Sequence, residues 1–183
     1  LPSRSQAVQL YQSSVLRRCE TLTIPLLLDR LRADALPTRL HAYIPLAESL
    51  DSGECMERVA ALSIHQNADV RVAVARALQR FRHESGAIKL LTMLRDPDWR
   101  VRAQAARALG ALRDERAVPE LSRALTDRTW WVRFRAALAL ATLGPQGHAA
   151  LDGARELSDR YARDMASFVA GLSASSVAEL SEG

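Results

Sequence analysis

The residues of this 183-residue chain best suited to chemistry are four histidines, two cysteines and a set of arginines. The histidines are His41, His65, His83 and His148. None has a second His, a Cys or a carboxylate at metal-ligand spacing on one helix face, so no metal is expected. Cys19 and Cys55 form neither a CxxC pair nor a Cys–His ligand pattern. Each falls in a helical stretch, where a thiol behaves as a small buried hydrophobe. Neither a nucleophile-elbow glycine pattern nor a phosphate-cradling glycine loop is present. Carboxylates and arginines are scattered as on a solvated helical surface. No catalytic residue and no cofactor are expected, and the chain reads as a non-enzyme.

What remains are residue types suited to recognition. Aromatics make up only 5% of the chain, yet Trp130 and Trp131 are adjacent, with Phe134 and Arg135 close behind. Trp99 and Arg100 form a smaller group upstream, followed by Arg107. Trp and Arg are enriched at binding hot spots because each offers a large rigid contact with a polar edge. The candidate partner-binding residues are therefore Trp131, Phe134, Arg135, Arg107, Arg100 and Trp99. Together they suit an extended or helical protein segment carrying an acidic residue and an apolar anchor. A structural role competes with this one: Trp99 and Trp130 would cover inter-helix turns and Phe134 would fill a gap between repeats.

These residues recur in a register that organises the chain. Val70, Val101 and Val132 are evenly spaced, with 101 − 70 = 31 and 132 − 101 = 31. Arg71, Arg102 and Arg133 follow them, then Ala75, Ala106 and Ala137, then Leu78, Leu109 and Leu140. Self-similarity at a fixed period of this size is the signature of a solenoid, whose stacked units mostly make binding surfaces. Within one unit Val101, Ala105, Leu109 and Leu112 form an apolar stripe for the core. Arg100, Ala103, Gln104, Arg107 and Ala111 lie opposite. One period later the same side holds Trp131, Phe134, Arg135, Leu138 and Thr142, and one period earlier Asp69, Val72, Ala73, Arg76 and Arg80. The aligned arginines fit a stacking device, each reaching an Asp of an inter-helix turn, with Asp96 and Asp127 placed as partners.

Composition agrees with helices. Apolar residues reach 48%, with Ala and Leu dominant, which favours close helix packing over a sheet of β-branched residues. No stretch alternates with a period of two, so the fold class is all-α. Helices are expected over 6–20, 23–32, 38–50, 54–64, 69–81, 85–94, 98–112, 117–125, 129–143, 148–157 and 161–172. The first has no partner in the register and reads as an N-terminal cap. Pro25 is expected in a first turn capped by Thr23, and Pro45 inside a helix, where it should kink it. Asp98 and Thr129 are expected as N-caps. Gly144-Pro145-Gln146-Gly147 reads as a strong stop. The domain reading is 1–22 capping helix, 23–172 repeat domain and 173–183 a frayed, flexible C-terminal tail.

The units Ala87–Leu112 and Ala117–Gly144 resemble HEAT repeats of the short bacterial type. They share a first helix, an Asp-containing turn, a Val-Arg pair, an Ala-rich second helix with a late Leu, then a Gly. The resemblance implies a right-handed α-α superhelix of about five helix pairs, with the second helices lining a concave face. It also implies scaffolds, adaptors and regulators, with a minority of enzymes or enzyme partners such as phycobilin lyase subunits and a group of DNA glycosylases.

The expected function is thus a protein–protein interaction scaffold or adaptor using the concave face. The alternative is nucleic-acid binding, glycosylase-like, along the stripe Arg76, Arg80, Arg100, Arg107 and Arg135. Net charge is +4 and the pI about 9.7, mildly basic and short of a dedicated nucleic-acid arm. No apolar run approaches the roughly 18 residues that span a bilayer. The expected location is the cytoplasm. The chain begins at Leu1, as an excerpt of a larger or membrane-anchored protein would.

Overall fold

The computed structural model describes residues 20–32, 35–50, 52–81 and 84–182. The expected capping helix over 6–20, together with Cys19 and His83, lies outside them, apart from Glu20. The described residues are helical throughout their ordered elements and contain no strand. They divide into two compact units, one ending at Ala77 and the other starting at Leu78.

The first unit holds α1 (Glu20–Arg30), α2 (Pro37–Ser49), α3 (Gly53–Ala61) and most of α4 (Ala68–Leu78). A 3-10 turn, Leu62–Ile64, follows α3. The helices α1, α2 and α3 pack on one another. Leu27, Leu31, Leu40, Ile44, Cys55 and Val59 are buried among them. Pro37 opens α2, where its missing N–H is one of the donors a helix start leaves unbonded anyway. Pro25 does not sit in a first turn, because α1 already runs from Glu20. Helix α2 continues through Pro45 to Ser49.

The second unit contains α5 (Glu84–Met93), α6 (Trp99–Leu112), α7 (Val118–Ala124), α8 (Trp130–Thr142), α9 (Gly144–Ala154), α10 (Arg160–Ala170) and α11 (Ala174–Glu182). The pairs α5–α6, α7–α8 and α9–α10 each pack together, and the second helices α6 and α8 lie side by side. Their shared seam is dominated by alanine. Val101, Ala105, Ala106 and Leu109 of α6 are fully buried, as are Val132, Ala136, Ala137 and Leu140 of α8. The backbones come closest at Gly110, where a Cβ would stand 2.8 Å from Ala139 Cα. Thr142 Oγ1 sits at this contact, 2.7 Å from the Ala139 carbonyl of its own helix and 3.1 Å from the Gly110 carbonyl, sharing its one proton between them.

The inter-helix turns repeat one hydrogen-bond pattern. Asp98 N–H donates to Asp96 Oδ1 at 2.8 Å, and Thr129 N–H to Asp127 Oδ1 at 2.8 Å. Thirty-one residues before Asp96 (96 − 65 = 31) stands His65, and Asn67 N–H donates to its Nδ1 at 3.0 Å. Asp98 also caps α6 by accepting from Arg100 N–H at 2.8 Å. Thr129 occupies the N-cap position of α8, but its side chain makes no cap bond. The capping role expected of its hydroxyl is replaced by the Asp127 bond to its amide.

The aligned arginines stitch these turns. Arg71, Arg102 and Arg133 each donate from Nη1 to the carbonyl six residues back, at 2.7, 2.8 and 2.7 Å. Arg102 also crosses to the next repeat, with Nε and Nη2 on the two oxygens of Asp127 at 2.7 and 2.9 Å. In the fifth pair Arg163 makes the same turn bond, to Leu157 O at 2.8 Å. The register there is short by one residue, since 163 − 133 = 30. Arg133 has no acid at the corresponding place. Its guanidinium stands 5.1 Å from the Tyr161 ring centroid, in cation–π contact.

The end of the chain holds more helix than expected. Gly144-Pro145-Gln146-Gly147 follows the end of α8 as expected, but it also forms the first turn of α9. Gly144 takes φ +66°, which reverses the chain directly after α8, and Pro145 suits a first turn. Gly147 lets α9 approach α8 so closely that a Cβ would fall 2.0 Å from the Leu140 carbonyl oxygen. From Ser173 the chain is not a frayed tail but forms α11, which packs on α6 and α8. Ser173 Oγ accepts from Ser176 N–H at its start, and Val177 is its buried anchor.

Candidate protein-interaction face

The side of α6 and α8 turned away from the alanine seam divides into two parts. Near the start of α8 lies an aromatic cluster. Trp130 stacks on Phe134, one helical turn later, with centroids 5.0 Å apart and planes at 16°. Trp131 meets both edge-on, at 4.9 Å from Trp130 and 6.2 Å from Phe134. The spacings i, i+3 from Trp131 and i, i+4 from Trp130 bring both indoles onto Phe134 within one helix. Trp130 and Trp131 remain 47% and 49% exposed, while Phe134 is only 7% exposed. Phe134 therefore supports the platform from below and is not itself open to a partner, contrary to its place in the expected contact set. Trp130, expected in the structural reading to cover an inter-helix turn, contacts both Trp131 and Phe134. Trp99 stands 41% exposed at the first position of α6. Arg100 folds back on the carboxylate of Asp98 at 2.8 Å.

The other part is a cleft of about 820 Å³ lined by α6, α8, α9, α10 and α11. Leu138, Leu151 and Val169 line its apolar side, and Arg107, Arg135 and His148 supply polar groups. Helix α11 covers it with small residues, Ala174, Val177, Ala178 and Ser181. These recur at i, i+3, i+4 and i+7, one face of a helix. Arg107 Nε donates to the Ser181 carbonyl at 3.0 Å, and Arg135 Nη1 to the Leu180 carbonyl at 2.7 Å. These carbonyls belong to the last turn of α11, whose C=O groups have no partner within the helix and carry the negative end of its dipole. Burial, and then the neighbouring Arg107 cation, push the Arg135 guanidinium below its ordinary value. Two cations held close together are offset by the helix end they share.

The structure thus separates the six candidate residues. Trp131 and Phe134 join Trp130 in the platform. Arg107 and Arg135 hold α11 on the same face. Trp99 and Arg100 sit at the start of α6. The arginine stripe on α6 and α8 is engaged with an aspartate and two helix carbonyls. The clamp on α11 was not legible beforehand, because nothing in Ser173–Gly183 signals a buried face beyond Val177 and three small residues. Among the described residues no group of three His, Cys, Asp or Glu gathers as a metal site. None of the described helices is long and apolar enough to cross a membrane.

Helix pairs in series, an acceptor at the same point of each turn and an arginine stitching it define a helical-repeat protein. Residues 88–173 match the family model of HEAT repeats, and this part of the chain is built of HEAT repeats. The match ends where α11 begins. Comparison with curated proteins gives no match.

Proposed function

We propose that this chain is a non-enzymatic protein-interaction module, and that the face of α6 and α8 is where it binds. HEAT repeats commonly serve as protein-interaction scaffolds. The observation that carries the reading is the exposed Trp130–Trp131 platform, pre-set by the buried Phe134 beneath it and placed beside Arg135. Exposed rings that are already ordered lose little side-chain freedom on binding, which is what makes an aromatic anchor effective. The partner is an extended or helical segment with an apolar anchor for the indoles and an acidic residue that competes for Arg135 with the α11 carbonyl it now holds. The buried free thiol of Cys55 fits a reducing, cytoplasmic setting.

The test places a photo-crosslinking phenylalanine analogue at position 131, identifies the adduct by mass spectrometry and measures the affinity of that partner directly. Trp130→Ala with Trp131→Ala, keeping Phe134 in the core, should weaken binding by about 2 kcal/mol or more, the size of a hot-spot loss. Full affinity retained in the double variant would remove this face from consideration.

A further inference from the structure

Helix α11 has three features that set it apart from the repeats it covers. It lies beyond the residues that match the repeat family. It seats on α6 and α8 through one buried side chain, Val177, while Ala174, Ala178 and Glu179 are exposed and Ser181 half-buried. It also leaves the cleft beneath it unfilled, because Ala174, Ala178 and Ser181 face a cavity of about 820 Å³ whose far side carries Leu138, Leu151 and Val169. Ala174 and Ala178 are exposed, so α11 adds little apolar contact to the cleft beyond Val177.

Its polar contacts, by contrast, do not depend on side-chain identity. Arg107 and Arg135 grip main-chain carbonyls of the last helical turn, which any helix ending at that point presents. The guanidinium pair reads a helix C-terminus, and the cleft reads the side chains one and two turns before it.

We infer that α11 is an intramolecular occupant of a helix-binding groove. The partner that displaces it is a helix whose C-terminal turn docks on Arg107 and Arg135 and whose groove-facing positions, at i, i+3 and i+4, carry larger apolar residues such as Leu. This rests on the reading of the α6–α8 face as a protein-binding face, and it names the occupant of the part that α11 covers. A leucine at the place of Ala174 or Ala178 puts apolar atoms into space that α11 leaves empty. The competing helix gains burial that α11 lacks, while α11 has the advantage of being tethered at high effective concentration.

The probe is a fluorescent peptide of the sequence 173–183 carrying Ala174→Leu and Ala178→Leu, titrated into the full chain by anisotropy. Three chains are compared: the unaltered one, one with Val177→Asp, which removes the anchor of α11, and one with Ala178→Leu, which fills the cleft from within. The account expects Val177→Asp to tighten peptide binding about tenfold or more and Ala178→Leu to weaken it by a similar factor. Far-ultraviolet circular dichroism confirms that the repeats stay folded in each. Equal affinity for all three chains would overturn the displacement while leaving the face as a binding surface. No binding to any folded variant would overturn the helix-groove inference. The platform reading is judged separately, by the Trp130 and Trp131 substitutions and their crosslinked partner.

Discussion

The Arg102–Asp127 pair is a nearly buried stitch between successive repeats. Its side chains are only 7% and 14% exposed. Arg102 makes two bonds to the carboxylate, at 2.7 and 2.9 Å, and one to the Asp96 carbonyl at 2.8 Å. Asp127 also accepts from Thr129 N–H at 2.8 Å. Asp127→Ala strands a nearly buried guanidinium and opens the turn, and removing one partner of such a pair costs about 3–5 kcal/mol. Arg102→Ala should cost a similar amount. The double variant should cost less than the sum, leaving a coupling energy of about 1–3 kcal/mol. Arg133→Ala is the internal control. Arg133 makes the turn bond and the cation–π contact with Tyr161, but its Nε lacks a hydrogen-bond partner and no carboxylate pairs with it among the described residues, so its loss should cost about 1–2 kcal/mol, less than either member of the buried pair. Urea unfolding followed by circular dichroism gives all four values. Acid titration adds a second readout. Burial acts to raise the Asp127 carboxyl, but the bonds from Arg102 and Thr129 outweigh it and hold the group below its ordinary 3.8. A depressed carboxyl stabilises the fold above its unfolded pKa, and that contribution is lost as pH falls from there through the folded value. Asp127→Asn should therefore flatten the acid limb of the stability curve below about pH 4. Additive single-variant losses below about 1 kcal/mol would refute the stitch.

Gly110→Ala should destabilise the second unit by about 1–3 kcal/mol through overpacking, since its Cβ would meet Ala139 Cα at 2.8 Å and Cβ at 2.9 Å; thermal melting checks this, and a neutral result would mean the α6–α8 spacing is looser. His65→Asn should nearly preserve stability because it keeps an acceptor for Asn67 N–H, whereas His65→Ala should cost about 1 kcal/mol, and equal losses would show that the turn bond is not what His65 contributes. Arg113 holds the left-handed conformation after α6, at φ 54° and ψ 40°, so Arg113→Gly should raise the midpoint by an amount worth about 1 kcal/mol, and a fall would show that its side chain matters more than its backbone.

How much of this was legible beforehand depends on whether the information was local or repeated. The period exposed the repeats because stacking imposes the same demand each time: Val101 and Val132 must be buried, and Arg102 and Arg133 must reach the same carbonyl. His65 escaped attention because its role is an acceptor in a turn, and imidazole Nδ1 serves where the register elsewhere has aspartate. Gly144-Pro145-Gln146-Gly147 was legible only as a stop because residues that stop one helix also suit the start of the next; the discriminating fact is the contact of Gly147 with Leu140, which is tertiary. Phe134 shares a helix face with exposed residues, yet its neighbour Trp130 covers it. The seat of α11 was illegible because it depends on main-chain carbonyls, which carry no sequence signature, and on a face of Ala and Ser that reads as solvated.

Hydrogen–deuterium exchange on the full chain, with and without the leucine-bearing 173–183 peptide, tests the central claim most directly. Occupation of the α6–α8 face by a helix in place of α11 predicts faster exchange of amides in Ala174–Glu182 and unchanged or slower exchange in α6 and α8. Unchanged exchange in Ala174–Glu182 at saturating peptide would contradict it.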